Sequence, residues 1–280
     1  MAAPTSSPTD EDLLEAAQKG DAESLEALIT RYSPRVLRFG TRMCGDREDA
    51  QDVAQETLLT MARSLRDFRG ESSVSTWLYT IARSFCIKKR RRSKFAPAHP
   101  VSLDAPEGEH LQGLPDLGPS PERTAYGREI GAALDASIAA LDPGQREVLL
   151  LRDVEGLSAP EVGTVLGLSV DAVKSRLHRA RLAVRQHVAP LLGVPVETPP
   201  PSSTCPDVLM QFSRHLEGEI GPSTCAEMEA HLENCETCRG ACDSLRRSIA
   251  LCRATPEQKV PSAVADSVRA AIRLLVKQQA

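Results

Sequence analysis

The segment SAPEVGTVLGLSVDAVKSRLHRAR, residues 158–181, encodes two short helices joined by a tight turn. Ser158 with Glu161 three residues later has capping-box spacing, and Pro160 is tolerated in a first turn. Val162, Val165 and Leu166 give the first helix an apolar stripe. Gly167 stands at the turn, where a left-handed backbone costs glycine little. Ser169 is placed to cap the second helix, and the helix dipole favours Asp171 in its first turn. Val173, Leu177, Ala180 and Val184 recur at helical spacing and form one face. The opposite face carries Asp171, Ser175 and His178, flanked by Lys174 and Arg179. A helix, a glycine turn and a second helix apolar inside and basic outside have the design of a helix-turn-helix, whose second helix lies in the major groove. A helical hairpin with a solvated basic face shares these features, so the rest of the chain has to discriminate.

Composition narrows the fold. At 280 residues the chain has room for two or three domains. Aromatics are only 3%, and no alternating strand pattern occurs, so an all-α protein of small helical modules is expected. The net charge of −4 does not advertise nucleic-acid binding, but basic residues cluster at 83–94 and 174–185. There is no apolar run of 18 residues, and the polar start is not a signal peptide. A cytoplasmic protein without a membrane partner is therefore expected. Six of the eight cysteines lie from residue 205 onward. In a reducing compartment such clustering favours metal or redox chemistry over structural disulfides.

A first module is expected over 10–95. Residues 11–33 read as helix with a break at Lys19-Gly20-Asp21, a second helix runs from Pro34 to Cys44, and a third covers 47–68. In the third, Ala50, Val53, Ala54, Leu58 and Met61 pack inward and leave Asp49, Asp52, Gln55 and Glu56 as a mostly acidic face. Then FRGESSVSTWLYTIARSFCIKKRRRSK, 68–94, carries Ser73, Thr76, Trp77, Tyr79 and Arg83 ahead of a run of Lys and Arg. Rings beside hydroxyls and cations suit single-stranded DNA, where bases stack and cations track phosphates. The Pro- and Gly-rich 96–121 is a flexible linker. The helix-turn-helix module follows at 122–192, with Asp142 and Pro143 opening one of its helices. A second linker, 193–204, leads to a Cys-rich tail, 205–280.

In the tail, Cys205 precedes His231-x3-Cys235-x2-Cys238. His231 and Cys235 are one helical turn apart, and the CxxC is a chelating pair. Three thiolates and an imidazole suit tetrahedral Zn²⁺. Cys225, Cys242 and Cys252 exceed what one closed site uses and are candidates for further metal binding or sensing.

DAQDVAQET at 49–57, FRGESSVSTWLYTIAR at 68–83 and the 158–181 segment, in this order, resemble the extracytoplasmic-function (ECF) group of bacterial sigma factors. The resemblance covers about residues 10–190 and implies a promoter-specificity subunit of RNA polymerase, not an enzyme. It implies that Asp49, Asp52, Gln55 and Glu56 meet the polymerase, that Ser73, Thr76, Trp77, Tyr79 and Arg83 hold the melted −10 strand, and that Lys174, Ser175, His178 and Arg179 read the −35 element of promoter DNA. Ser84 departs from the Asn the family often has after IAR. The tail resembles a zinc-binding anti-sigma domain, normally a separate protein, in which the residues matching Cys205, His231, Cys235 and Cys238 bind zinc. A sigma factor fused to such a tail resembles the CorE-like, metal-responsive group. That implies activity controlled by Zn²⁺ or Cd²⁺, with copper as the alternative, and a tail that docks on the chain's own sigma modules. A redox switch that forms a disulfide and expels zinc, and a plain helix-turn-helix regulator, are the competing readings.

Overall fold

Residues 7–95, 121–194, 205–256 and 258–279 are described by the computed structural model. The expected linkers at 96–121 and 193–204 fall almost wholly outside these residues. All regular elements among the described residues are helical, with no strand, as composition and periodicity require. Helices α1 (Asp10–Gln18), α2 (Ala22–Cys44), α3 (Arg47–Ser64) and α4 (Val74–Phe95) make the first module. Helices α5 (Pro121–Ala140), α6 (Pro143–Leu149), α7 (Ala159–Leu166) and α8 (Val170–Val188) make the second, with a π turn at Leu150–Val154. The tail supplies α9 (Val208–Leu216), α10 (Pro222–Asn234), α11 (Glu236–Arg253) and α12 (Ser262–Gln279). Contacts part the chain into two units, one of residues 1–101, 164–166 and 257–280, the other of 102–163 and 167–256.

In the first unit Thr9, Asp21 and Asp46 cap α1, α2 and α3 through hydrogen bonds from the amides of Asp12, Ser24 and Asp49. The expected break at Lys19–Asp21 is present, but the expected start of a new helix at Pro34 is not. Proline inside a helix costs about 3 kcal/mol. Ile29, Tyr32, Val36, Leu37, Phe39 and Met43 are all buried on one continuous stripe across Pro34. Each such side chain contributes about 1.5–3 kcal/mol, so burial outweighs the lost hydrogen bond. A Cβ on Gly40 would lie 3.2 Å from the Ala50 carbonyl, so small residues set how closely α2 and α3 approach. Helix α12 also lies in this unit. Its Val264, Val268 and Ile272 are buried, Gln55 donates to the Ser267 hydroxyl at 2.9 Å, and Arg269 pairs with Glu26 at 3.3 Å. The tail expected as one domain over 205–280 is thus divided between the units. The apolar stripe of α12 is covered by α3 and α2 rather than by the cysteine-bearing helices.

In the second unit Val148, Leu149, Leu150 and Leu151 form the centre against Val173, Leu177, Ala180, Val184 and Val188 of α8. Helices α9, α10 and α11 enclose Val208, Leu209, Phe212, Met228, Cys238, Ala241, Cys242, Leu245 and Ile249, and Leu182 of α8 packs against this cluster. Helix α8 is therefore apolar toward both its own module and the tail. No helix among the described residues is long and apolar enough to cross a membrane.

Candidate functional site

The helix-turn-helix forms as its residue types dictate. Ser158 and Glu161 close a reciprocal capping box, Gly167 takes a left-handed φ of 67°, and Ser169 accepts from the Ala172 amide. A Cβ on Gly163 would lie 2.8 Å from the Leu168 carbonyl, so the turn folds back directly over this residue.

The outer face of α8 is not free. Asp171, Ser175 and Arg179 are exposed, while Lys174 is half-buried and His178 is buried. Lys174 Nζ lies 2.5 Å from Glu219. His178, expected on the outer face, has a buried Nδ1 with no hydrogen-bond partner. Burial holds its imidazole below the ordinary value against the opposing pull of Asp207, with Arg181 and Arg179 adding to the lowering.

Further along α8, Arg181 is 1% exposed. It donates to both carboxylate oxygens of Asp153, at 2.7 and 2.8 Å, and to Glu217 at 2.8 Å. Glu217 also accepts from Arg152 at 2.9 Å. Burial pushes the Glu217 carboxyl up, but the two guanidiniums more than offset it and hold the group below its usual range. Arg185 donates to the Ser244 hydroxyl of α11. Three cations of α8 are thus engaged by Glu219, Glu217 and Ser244 of the tail. Sequence reasoning singled out Lys174 but missed Arg181, Arg185 and their partners. The acidic EGE at 217–219, directly after a helix, was the available signal.

The tail's metal-ligating types converge. The ligand atoms of Cys205, His231, Cys235 and Cys238 all lie within 4.8 Å of one another. Helix α10 delivers His231 in its last turn. Cys235 occupies the junction with α11, and Cys238 sits in the first turn of α11. Amide N–H groups at the start of α11, that of Cys238 foremost, hold the Cys235 thiol below the ordinary range. Burial pushes Cys238 up to about 12. His231 Nε2 is buried with no hydrogen-bond partner, which is a costly state for a polar nitrogen unless a metal takes its lone pair. Three sulfurs and one nitrogen of this kind fit tetrahedral Zn²⁺ in a closed site that binds and orders rather than catalyses.

The other tail cysteines stay outside this set. Cys242 is buried in the apolar cluster as a small hydrophobe. Cys225 meets His215 Nδ1 at 3.5 Å and Glu229 at 3.4 Å, on another face of α10. Cys252 is buried near the end of α11.

In the first module, Lys89 of α4 bridges Asp49 at 3.0 Å and Asp52 at 2.6 Å, Gln55 meets Ser267, and Glu56 is exposed. Trp77 stacks on Phe68 at 4.5 Å and, with Arg69, Glu71 and Ser72, lines a cleft of 470 Å³. The Ser73 hydroxyl accepts from the Thr76 amide and starts α4. Arg83 is half-buried. Two of the residues expected to hold a DNA strand are placed otherwise. Tyr79 is fully buried with its ring 5.3 Å from Phe39, and Thr76 is 1% exposed. At helical spacing both fall on the inward side of α4, whereas Trp77 faces the cleft.

The Sigma-70 region 2 family matches residues 28–95, the Sigma-70 region 4 family matches 131–184, and a zinc-finger family matches 205–239. The RNA polymerase sigma-H factor of Pseudomonas aeruginosa is 36% identical over 187 residues, which is 65% of this chain and 95% of that protein. The ECF RNA polymerase sigma-E factor of Escherichia coli K12 is 32% identical over 191 residues, 66% of this chain and 96% of that one. The solved structure of CnrH in complex with the cytosolic domain of CnrY covers 62% of this chain and 94% of its own, at 26% identity and a TM-score of 0.46.

Proposed function

Because the chain belongs to the ECF RNA polymerase sigma factors, transcription initiation factors that are not enzymes, we propose that its own Cys-rich tail controls its transcription activity through metal occupancy. Core RNA polymerase and promoter DNA are the partners of this family, and the cytoplasm is where they would be met. Trp77 in its cleft, together with Ser73 and Arg83 of the same segment, would hold the melted −10 strand. Asp49, Asp52, Gln55 and Glu56 would meet the polymerase. Lys174, Ser175, His178 and Arg179 would read the −35 element once the tail has left α8.

The observation that carries this reading is the engagement of α8 by the tail, through Lys174–Glu219 and Arg181–Glu217. Cations that pair with carboxylates cannot also pair with DNA phosphates. The Cys205–His231–Cys235–Cys238 site lies in the same three-helix tail that presents Glu217 and Glu219. When bound, Zn²⁺ would join α10 to α11 and to the chain before α9 through these four side chains. The ion-holding state is then the covered state. A ligand shifts such an equilibrium only by its differential affinity for the two states. Loss of zinc, or replacement by the larger Cd²⁺, would uncover α8.

Run-off transcription with core polymerase on the protein's own upstream DNA tests this. Zinc-loaded, chelator-stripped and Cd²⁺-exchanged full-length protein are compared with Glu217→Gln/Glu219→Gln. Stripped or exchanged protein and the double variant should be several-fold more active than the zinc form. Equal activity in all four would leave the tail a structural appendage.

A further inference from the structure

Two cysteines outside the tail stand closer together than the sequence suggests. Cys44 is the last residue of α2, and Cys86 lies 42 residues later, within α4. Their sulfurs are 3.5 Å apart and hydrogen-bonded, with no disulfide between them. Cys44 is half-buried, while Cys86 is fully buried directly behind it. Gly45 follows Cys44 with a left-handed φ of 75° and ends the helix there.

We propose that Cys44 and Cys86 are a reversible dithiol–disulfide site, closed by a hydroperoxide and independent of the metal-binding tail. The geometry assigns the roles. Cys44, the accessible sulfur, is the attacking group, and Cys86 resolves. Contact with Cys86, helped by Lys89 and Arg90, outweighs burial and the charge of Asp49 and holds the Cys44 thiol below its ordinary range. The Cys44 thiolate attacks one peroxide oxygen, the O–O bond breaks, and the departing oxygen takes up a proton and leaves as an alcohol, or as water from hydrogen peroxide. This leaves Cys44 as a sulfenic acid. The Cys86 sulfur then attacks the Cys44 sulfur and loses its proton, and the S–O bond breaks to release water. Two thiols and one hydroperoxide have become one disulfide, one alcohol and one water. A thiol reductant reverses the step by exchange.

The site lies under the Asp49–Lys89–Asp52 bridge, since Lys89 is one helical turn beyond Cys86. Closing it ties the end of α2 to the middle of α4. Full-length, zinc-loaded protein is treated with graded hydrogen peroxide, its thiols are alkylated in denaturant, and nonreducing peptide maps are read beside a colorimetric record of zinc release. The expected result is a Cys44–Cys86 linked peptide that forms before zinc is released, disappears on dithiothreitol, and is absent from Cys44→Ser. Cys44 still fully alkylated at peroxide levels that have already emptied the tail would overturn the proposal. So would a Cys44 sulfinic acid with Cys86 still alkylatable. Neither result bears on metal control, because the tail's ligands are scored separately in the same maps.

Discussion

Arg181 is a charge with two owners. Asp153 belongs to its own module and Glu217 to the tail, and both meet it where water is excluded. Breaking a buried pair by removing one partner costs about 3–5 kcal/mol, because the remaining charge is left uncompensated. Asp153→Ala should therefore destabilise the second unit by about 3–5 kcal/mol in urea unfolding. Glu217→Gln should cost far less, since Asp153 still holds the guanidinium at two points, and should appear mainly as tighter promoter binding. His178 gives a second residue-level expectation. Its folded pKa is lowered from 6.5, chiefly by burial, so the unfolded chain takes the extra proton as pH falls. Its contribution to stability is complete above pH 6.5 and is lost as pH drops from there through the folded value. The urea midpoint of zinc-saturated protein should fall between about pH 7.5 and 5.5, and His178→Gln should shrink that fall. An identical pH dependence in the variant would refute the assignment.

At the scale of the element, the turn between α7 and α8 is the sensitive point. Gly163→Ala places a methyl 2.8 Å from the Leu168 carbonyl, where only backbone movement relieves it. A loss of about 1–3 kcal/mol and weaker promoter binding are expected, as for other overpacked sites. Ser158→Ala should cost about 1 kcal/mol through the capping box alone. These elements were legible in the sequence because caps, glycine turns and apolar spacing are local signals. The meeting of Cys205, His231, Cys235 and Cys238 was legible for a related reason, since His231, Cys235 and Cys238 lie within eight residues and Cys205 is the cysteine that opens the tail. Pro34 misled because a local rule was overridden by burial on both sides of it. The burial of His178, Tyr79 and Thr76 was not legible because helical spacing tells which residues share a face, not what another element lays over it. The partners of Arg181 and Arg185, and the meeting of Cys44 with Cys86, depend on tertiary packing across 28 to 59 residues and have no local signature.

For the whole molecule, the proposed metal control makes metal binding and folding of the tail one equilibrium. Structural zinc in such sites is worth about 10–16 kcal/mol of apparent binding energy at neutral pH, more than a small three-helix tail holds by packing alone. Chelation should therefore lower helicity and remove the protection of 205–256 in hydrogen exchange while leaving α1–α4 protected. Persistence of tail protection without metal would show that the apolar cluster alone suffices. The location of Glu217 and Glu219 on the same polypeptide as α8 has one more consequence. A separate inhibitor holds its target only above its dissociation constant, and its hold varies with the ratio in which the two proteins are made. Here the ratio is fixed at one by covalent linkage, and the local concentration is set by the chain rather than by the cell. The covered fraction should stay constant on dilution, so cells with few copies and cells with many should respond at the same metal threshold.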